Sequence, residues 1–276
     1  MRLELLLPLS VIAGFVGAMG GMGGGIVLIP ALTFFGVDIK HAIALSIVSV
    51  IATSSGSASA YVRDHITNLK LGMFLEVFTM TGAITGATMT LSLAPRFLFF
   101  LLSAVLMSSA AVLWLKRADE WAPVLHQDRL SSWLELEGCY PEKLSGHWIE
   151  YRATRAWLGG PLMFCAGMVA GLLGIGAGAL KVLIHDLVMG LPPKVSTTTS
   201  NLIIGVTALA GTSVYLSQGL IEPGPVAVVV LGVLCGAFIG TRVLVRLPNR
   251  TVRRFFLVLL VVLSIEVLVR GIRAGV

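Results

Sequence analysis

Outside residues 116–156 the chain is a succession of long apolar runs. In the first part they are Leu5 to Phe35, Ala42 to Val62, Leu71 to Leu93 and Phe97 to Leu115. In the last part they are Trp157 to Met189, Val195 to Leu216, Pro225 to Leu247 and Phe255 to Val269. A helix of about 20 residues spans a hydrocarbon core of about 30 Å, so runs of this length mark helices in lipid. Composition agrees, with 56% of residues hydrophobic, 12% charged and a mean hydropathy of +0.93. Soluble domains hold about 45–50% apolar and about 25% charged residues. The chain is expected to be an all-α integral membrane protein whose first partner is the lipid bilayer.

A net charge of +6 in a soluble protein would suggest nucleic acid. Here the basic residues sit between apolar spans, where they face headgroups and set orientation, and no nucleic-acid partner is expected. Of the three cysteines, Cys165 and Cys235 fall inside apolar runs and are expected to be small buried hydrophobes; none has metal-ligand spacing. No metal is therefore expected. Leu3 to Met19, with Arg2 ahead of it, has the look of a signal peptide, but its residues recur later in the chain. A cleaved leader would have no internal copy.

That copy is an internal repeat. Shifting the chain by 153 residues lays Ala13-Gly14 on Ala166-Gly167, and Gly21, Gly23 and Gly25 on Gly174, Gly176 and Gly178. After one inserted residue the shift is 154, and Gly36, Lys40, Ser46, Thr53, Ser59 and Tyr61 meet Gly190, Lys194, Ser200, Thr207, Ser213 and Tyr215. Gly82-Ala83-Ile84-Thr85-Gly86 meets Gly236-Ala237-Phe238-Ile239-Gly240. The chain thus divides into a first membrane repeat (1–115), a connecting loop (116–156) and a second membrane repeat (157–276).

The first run of each repeat is too long for one span. As a continuous helix its 31 residues would reach about 46 Å. Glycine weakens a helix by about 1 kcal/mol relative to alanine, so Gly20 to Gly25 and Gly174 to Gly178 are the expected breaks. Each broken piece either bends and crosses, or returns as a re-entrant hairpin. Charge favours the hairpin. With hairpins the repeats are inverted and the Lys and Arg residues divide fourteen to five, the five being Arg2, Lys40, Arg96, Arg270 and Arg273, with Lys181 inside the membrane. With through-crossing pieces the division is eleven to eight. The positive-inside rule prefers the stronger asymmetry. The expected architecture is two inverted-topology repeats, each a glycine-broken hairpin plus three spanning helices, with periplasmic termini and a cytoplasmic loop. A second copy of the chain is kept as a candidate partner.

The connecting loop differs in kind. It holds Trp121, Trp133 and Trp148, and both Trp133 to Glu137 and His147 to Arg152 alternate with the two-residue period of strands. A small cytosolic β-hairpin is expected; a tether with its tryptophans at the interface is the alternative.

The glycine run Gly20-Gly21-Met22-Gly23-Gly24-Gly25 with Pro30 after it, the segment Thr198-Thr199-Ser200-Asn201, and the paired Gly-Ala-x-x-Gly motifs resemble the TauE/SafE family of sulfite and organosulfonate exporter permeases. The likeness covers roughly 10–115 and 160–270. It implies export of small sulfur-containing or similar oxyanions, such as sulfite or organosulfonates, from a bacterial inner membrane. The chain departs from the family pattern at Ala177, where a glycine is usual, at Leu183, where a proline is usual, and at Leu45.

The residues themselves suggest where an anion would sit. A helix that begins inside the membrane has unpaired N–H groups and about half a positive charge at its start, and glycine lets an anion approach that backbone. Gly23, Gly24 and Gly25, with Gly176 and Gly178, would supply two such ends; close helix packing is the alternative. Ser46, Thr199, Ser200 and Asn201 can donate to oxyanion oxygens, or else hold helices together. Lys181 is a cation inside a span, His185 lies one turn on along the same face, and Asp186 is adjacent. His185, Asp186 and the membrane carboxyl Glu76 are candidates for carrying protons.

These features point to a secondary transporter working by alternating access, without cofactor, since no Gly-x-x-x-x-Gly-Lys-Ser/Thr motif is present. An intramembrane serine hydrolase using Ser54, Ser55 or Ser57 with His185 is the enzymatic alternative. A membrane scaffold without flux is the third.

Overall fold

A computed structural model describes residues 3–20, 23–63, 65–115, 127–141, 147–244 and 249–273. Arg2, Gly21, Trp121 and several loop cations, Lys116, Arg117, Lys143 and Arg246, lie outside the described residues. The first apolar run is two helices, α1 (Leu3–Gly20) and α2 (Gly25–Phe34). Between them Gly23 has φ +78°, a torsion that L residues rarely adopt. The chain turns sharply there. A Cβ added to Gly24 would lie 3.3 Å from Ala13 O, although eleven residues of straight helix would separate the two by about 16 Å.

The second repeat breaks at the matching place. Helix α7 (Ala156–Leu173) ends on Gly174 at φ +61°, and α8 (Gly178–Leu183) runs into one π-helical turn, Ile184–Val188. Ala177, the residue aligned with Gly24, takes φ +47°, so the break persists where the glycine is missing. Each repeat then continues through three long helices. They are α3 (Ile39–Arg63), α4 (Leu69–Ser92) and α5 (Pro95–Leu115), then α9 (Pro193–Ser217), α10 (Pro223–Leu244) and α11 (Asn249–Arg273). Their starts follow local chemistry. Asn68 Oδ1 accepts from Leu71 N at 2.9 Å. Pro95, Pro193 and Pro223 open helices at a position whose N–H is not needed. Among the described residues six helices are long and apolar enough to cross a membrane: Ile39–Arg63, Leu69–Ser92, Pro95–Val112, Ala156–Leu173, Pro193–Ser217 and Pro223–Gly240.

The two repeats pack by exchanging equivalent helices. Helix α1 lies along α10 and α7 along α4, while α5 meets α11 and α3 meets α9. The first two crossings are glycine contacts. A Cβ on Gly14 would sit 2.2 Å from Val233 O and one on Gly236 2.0 Å from Val11 O. In the mate crossing, Gly167 would meet Thr79 O at 2.3 Å and Gly86 would meet Met168 O at 2.0 Å. The paired Gly-Ala-x-x-Gly segments therefore bring backbones together, where small residues let dispersion contacts act at short range. Met73, Val77, Leu231 and Val258 point outward, as a lipid-facing surface requires. Cys165 and Cys235 correct the expectation that they are buried: both lie on this outer surface. In a bilayer an apolar thiol gains nothing by turning inward.

The connecting segment folds as a short helix, α6 (Arg129–Trp133), and a two-stranded antiparallel hairpin, β1 (Glu137–Pro141) with β2 (Trp148–Arg152). The hairpin is present, but its first strand starts where the alternating Trp133 to Glu137 stretch ends. Glu135, at φ +50°, turns the chain between helix and strand. Tyr140 and Tyr151 plug this unit into one end of the bundle against Leu71, Leu75, Met163, Met189, Val195 and Ile203.

Candidate functional site

The two helix breaks meet. Ser46 Oγ of α3 donates to Gly174 O at 2.8 Å, and a Cβ on Gly25 would fall 2.3 Å from that hydroxyl and 2.8 Å from Gly174 O. Ser49 is fully buried beside Gly24, whose amide donates to Thr53 Oγ1 at 3.3 Å. Gly23, Gly24, Gly25 and Ser46 thus gather at one junction with Gly174 and Ile175. Gly176 and Gly178 belong to the second break, where Ser200 Oγ lies 3.4 Å from Gly178 O. Both repeat-mate serines are engaged with backbone carbonyls of the second break.

Lys181 projects from α8 and is fully buried. Its Nζ donates to Thr207 Oγ1 at 2.9 Å. The same Thr207 hydroxyl is 3.1 Å from Glu76 Oε1, and Thr79 Oγ1 is 3.3 Å from that oxygen. A cation from one repeat and a carboxylate from the other are therefore joined through a hydroxyl. Sequence spacing offered Asp186 as the neighbour of Lys181, yet this path leads to Glu76, 105 positions upstream (181 − 76). Glu76 comes within reach because α4 packs against both α7 and α9. Thr207 and Thr79 were absent from the expected site, although the alignment of Thr53 with Thr207 was a usable signal.

His185 is fully buried in the π-turn, a feature that recurs at functional sites. Its Nδ1 lies 3.3 Å from Ser196 O, and Nε2 has no hydrogen-bond partner among the described residues. Asp186 is half-buried one residue further on. The hydrolase arrangement is not formed: Ser54 donates to Ile51 O and Ser57 to Thr53 O and Ser54 O, while the imidazole faces Ser196 O. Among the described residues no group of three His, Cys, Asp or Glu side chains is placed to hold a metal.

The remaining candidates lie apart from this network. Asn201 lines an open cleft of about 180 Å³ with Ser54, Ser55 and Gly205. Thr199 Oγ1 accepts from Asn68 N at 3.1 Å, and Asn68 Nδ2 donates to Tyr151 Oη at 3.1 Å. Thr199 therefore links the membrane helices to the β-hairpin. Burial pushes the Tyr151 hydroxyl up to about 12, partly offset by the hydrogen bond from Asn68. Nearby, Lys70 and Glu135 pair at 2.5 Å, and the hydrogen bond from that ammonium holds the carboxyl below its usual range.

At the opposite end of the bundle cations close helix C-termini. Lys40 Nζ donates to Leu91 O at 2.7 Å, and the Arg270 guanidinium bonds Thr33 O and Glu266. Leu6 of α1, Leu32 of α2, Val37, Leu220, Glu222 and Pro225 line one cleft there of about 250 Å³.

Apolar helices of spanning length, with an apolar outer surface and polar groups buried between them, make this a multi-pass membrane protein. The chain belongs to the sulfite exporter TauE/SafE family, whose description matches residues 6–267. It is 26% identical over 287 residues to the probable membrane transporter protein YunE of Bacillus subtilis, covering 99% of each chain. It is 28% identical over 237 residues to the probable membrane transporter protein YdhB of the same organism, covering 85% of each. Similarity to the probable membrane transporter protein MJ0441 of Methanocaldococcus jannaschii is 27% over 114 residues, or 38% of this chain and 43% of that one. No solved structure matches the chain. Family and relatives together make the protein a membrane transporter rather than an enzyme.

Proposed function

We propose that the protein exports small sulfur-containing or similar oxyanions, sulfite and organosulfonates among them, across a bacterial inner membrane by alternating access. The observation that carries this reading is Lys181, a fully buried cation in the membrane part of the bundle. A cation there costs about 2.5–3.5 kcal/mol on insertion scales, and such residues mark substrate pathways. An oxyanion arriving beside Lys181 offsets that cost during each cycle. The junction of Gly25, Ser46 and Gly174 lies between the two breaks and would form part of the path, with Ser200 and the Gly176 to Gly178 turn on the other repeat's side.

Inverted repeats fit the same reading. Leu6 near the start of α1 and Leu32 near the end of α2 line one cleft, so the broken piece would enter and leave by one face. In the second repeat, Thr154 N, just ahead of α7, donates to Met189 O, just past the π-turn, at 3.0 Å. This is how a re-entrant hairpin closes, and opposed hairpins around a central site are a known transporter plan. Orientation follows from the basic residues, with the β-hairpin in the cytoplasm.

Flux of sulfite, thiosulfate, sulfate, sulfonates and carboxylates into proteoliposomes tests the substrate. Movement of sulfite or sulfonates, abolished in Gly24→Val, is expected; transport confined to carboxylates would overturn the reading. Cys139 is exposed on the hairpin and should resist an impermeant thiol reagent in intact cells. Rapid labelling would reverse the orientation.

A further inference from the structure

We infer that one proton accompanies each anion and that Glu76 carries it: the anion takes the carboxylate's part beside Lys181 while Glu76 becomes a neutral acid. The inference rests on the reading of Lys181 as the anion's contact. It begins from charge. The buried network of Lys181, Thr207, Thr79 and Glu76 holds one ammonium and one carboxylate, a neutral sum. A monoanion entering it leaves one uncompensated negative charge in a low-dielectric interior, which is expensive. A proton on Glu76 restores neutrality, so empty and loaded sites carry the same net charge.

The hydroxyls permit both states without moving a heavy atom. Thr207 and Thr79 each have one proton, with the Glu76 carboxylate and carbonyls of their own helix as acceptors in reach. For Thr207 these are Glu76 Oε1 at 3.1 Å and Ile203 O at 2.6 Å; for Thr79 they are Glu76 Oε1 at 3.3 Å, Glu76 O at 3.1 Å and Leu75 O at 3.3 Å. With Glu76 ionised both hydroxyls can point at the carboxylate. With Glu76 protonated both turn to their own helix carbonyls, and the acid donates its proton to a hydroxyl oxygen so released. One helical turn on from Lys181, His185 directs Nδ1 to Ser196 O, so the neutral ring presents a lone pair at the buried Nε2 and offers an anion no donor there.

Few other ionisable groups face this network. Helix α7 carries only Cys165, which points outward. Helix α9 has Lys194 in its first turn and Tyr215 near its end. Helix α3 has Lys40 and His41 at its start and Tyr61 and Arg63 at its end. On α4 itself Lys70 pairs with Glu135 at the surface. The remaining acid of the region is Asp186, half-buried in the π-turn.

Two properties follow. Movement of anion plus proton transfers no net charge, so the membrane potential does not act on it; an alkaline cytoplasm opposes the outward step, and export runs on the anion's own outward gradient. Monoanions such as sulfonates and hydrogen sulfite fit, whereas a dianion such as sulfate leaves the loaded site negative even with Glu76 protonated.

Methanesulfonate is the probe, because it stays a monoanion at every usable pH. In wild-type proteoliposomes with a trapped pH dye, one proton is expected per anion, with no response to a potassium–valinomycin potential. In Glu76→Gln the anion should move without protons and follow the potential, about 60 mV sustaining about a tenfold gradient. Methanesulfonate flux without protons in the wild type, or unchanged coupling in Glu76→Gln, overturns the inference and leaves the transporter reading intact. Absence of flux for every oxyanion overturns both. The wild-type proton count decides the matter even if Glu76→Gln fails to insert.

Discussion

Thr53 and Thr207 hold the same place in the two repeats, 154 positions apart, yet their hydroxyls receive different donors: the Gly24 amide at 3.3 Å and the Lys181 ammonium at 2.9 Å. The duplication has kept the acceptor and changed what it accepts. In the first repeat the hydroxyl holds a helix break in shape; in the second it holds a charge.

The two threonines should therefore fail differently when the hydroxyl is replaced by a methyl. Thr207→Val removes the link between Lys181 and Glu76 and should cut anion flux at least about tenfold, about 1.4 kcal/mol in barrier height. Thr207→Ser should restore it. Thr53→Val leaves a buried amide unpaired, which should lower stability by about 1–3 kcal/mol with a much smaller effect on rate. Flux and thermal unfolding in detergent measure both. Equal loss of flux in the two valine variants would mean the hydroxyls play one structural part.

Glycines divide as sharply by what surrounds them. A Cβ on Gly86 would lie 2.0 Å from the backbone oxygen of Met168, so Gly86→Ala should force α4 and α7 apart and sharply reduce the yield of folded protein. Gly56, inside α3, has nothing within 4 Å of its added Cβ. Gly56→Ala should be neutral or stabilise the helix by up to about 0.5–1 kcal/mol. Melting temperatures and elution profiles of the two variants check the contrast. A well-folded Gly86→Ala protein would show that the crossing is looser than the geometry states.

The helix breaks and five of the spanning helices were legible because each is local, and the duplication because it repeats; α7, expected as half of a hairpin, is of spanning length, and α11, expected to span, is not among the six found in the described residues. Gly23 and Gly174 announce a break wherever they sit, and the 153-residue shift needs no folding to be seen. The pairing of Lys181 with Glu76 was not legible, since it depends on the exchange of helices between repeats rather than on spacing along one of them. Counting hydroxyls likewise located Ser46 without revealing that it donates to Gly174 O. Nor does an apolar run say which of its faces meets lipid, which is why Cys165 and Cys235 were placed inside and lie outside.

The docking of the β-hairpin should be sensitive to alkali. The Tyr151 hydroxyl titrates near 10 in an unfolded chain and is pushed up to about 12 by burial against the helix ends, opposed by the Asn68 hydrogen bond. A raised folded value means its contribution is complete below about pH 10 and lost as pH rises through about 12. Tyr151→Phe forfeits the hydrogen bond, worth about 0.5–1.5 kcal/mol, but has no proton to lose. The stability advantage of the wild type over Tyr151→Phe should therefore shrink across this window. A constant difference in melting temperature from neutral to about pH 12 would contradict the burial of that hydroxyl.

The charge pair itself can be dissected by a double-mutant cycle. Lys181→Met removes the ammonium and leaves the Glu76 carboxylate with only hydroxyl partners in an apolar surround. Breaking one side of a buried pair costs about 3–5 kcal/mol, because the remaining charge stays unpaired. Glu76→Gln has the converse effect on Lys181, softened by the amide oxygen that can still accept from Thr207. In the double variant no charge remains in the network, and replacing a buried pair by neutral groups is often neutral or stabilising. Stability should thus fall in Lys181→Met, fall less in Glu76→Gln, and recover in the double variant to near the wild-type value. Flux should not recover, because a stable protein without Lys181 has nothing to offset the charge of an arriving anion. Thermal unfolding gives the coupling energy and proteoliposome flux the function. Additive stability losses would show that Lys181 and Glu76 do not act as a pair, and wild-type flux in Lys181→Met would remove that lysine from the anion's path.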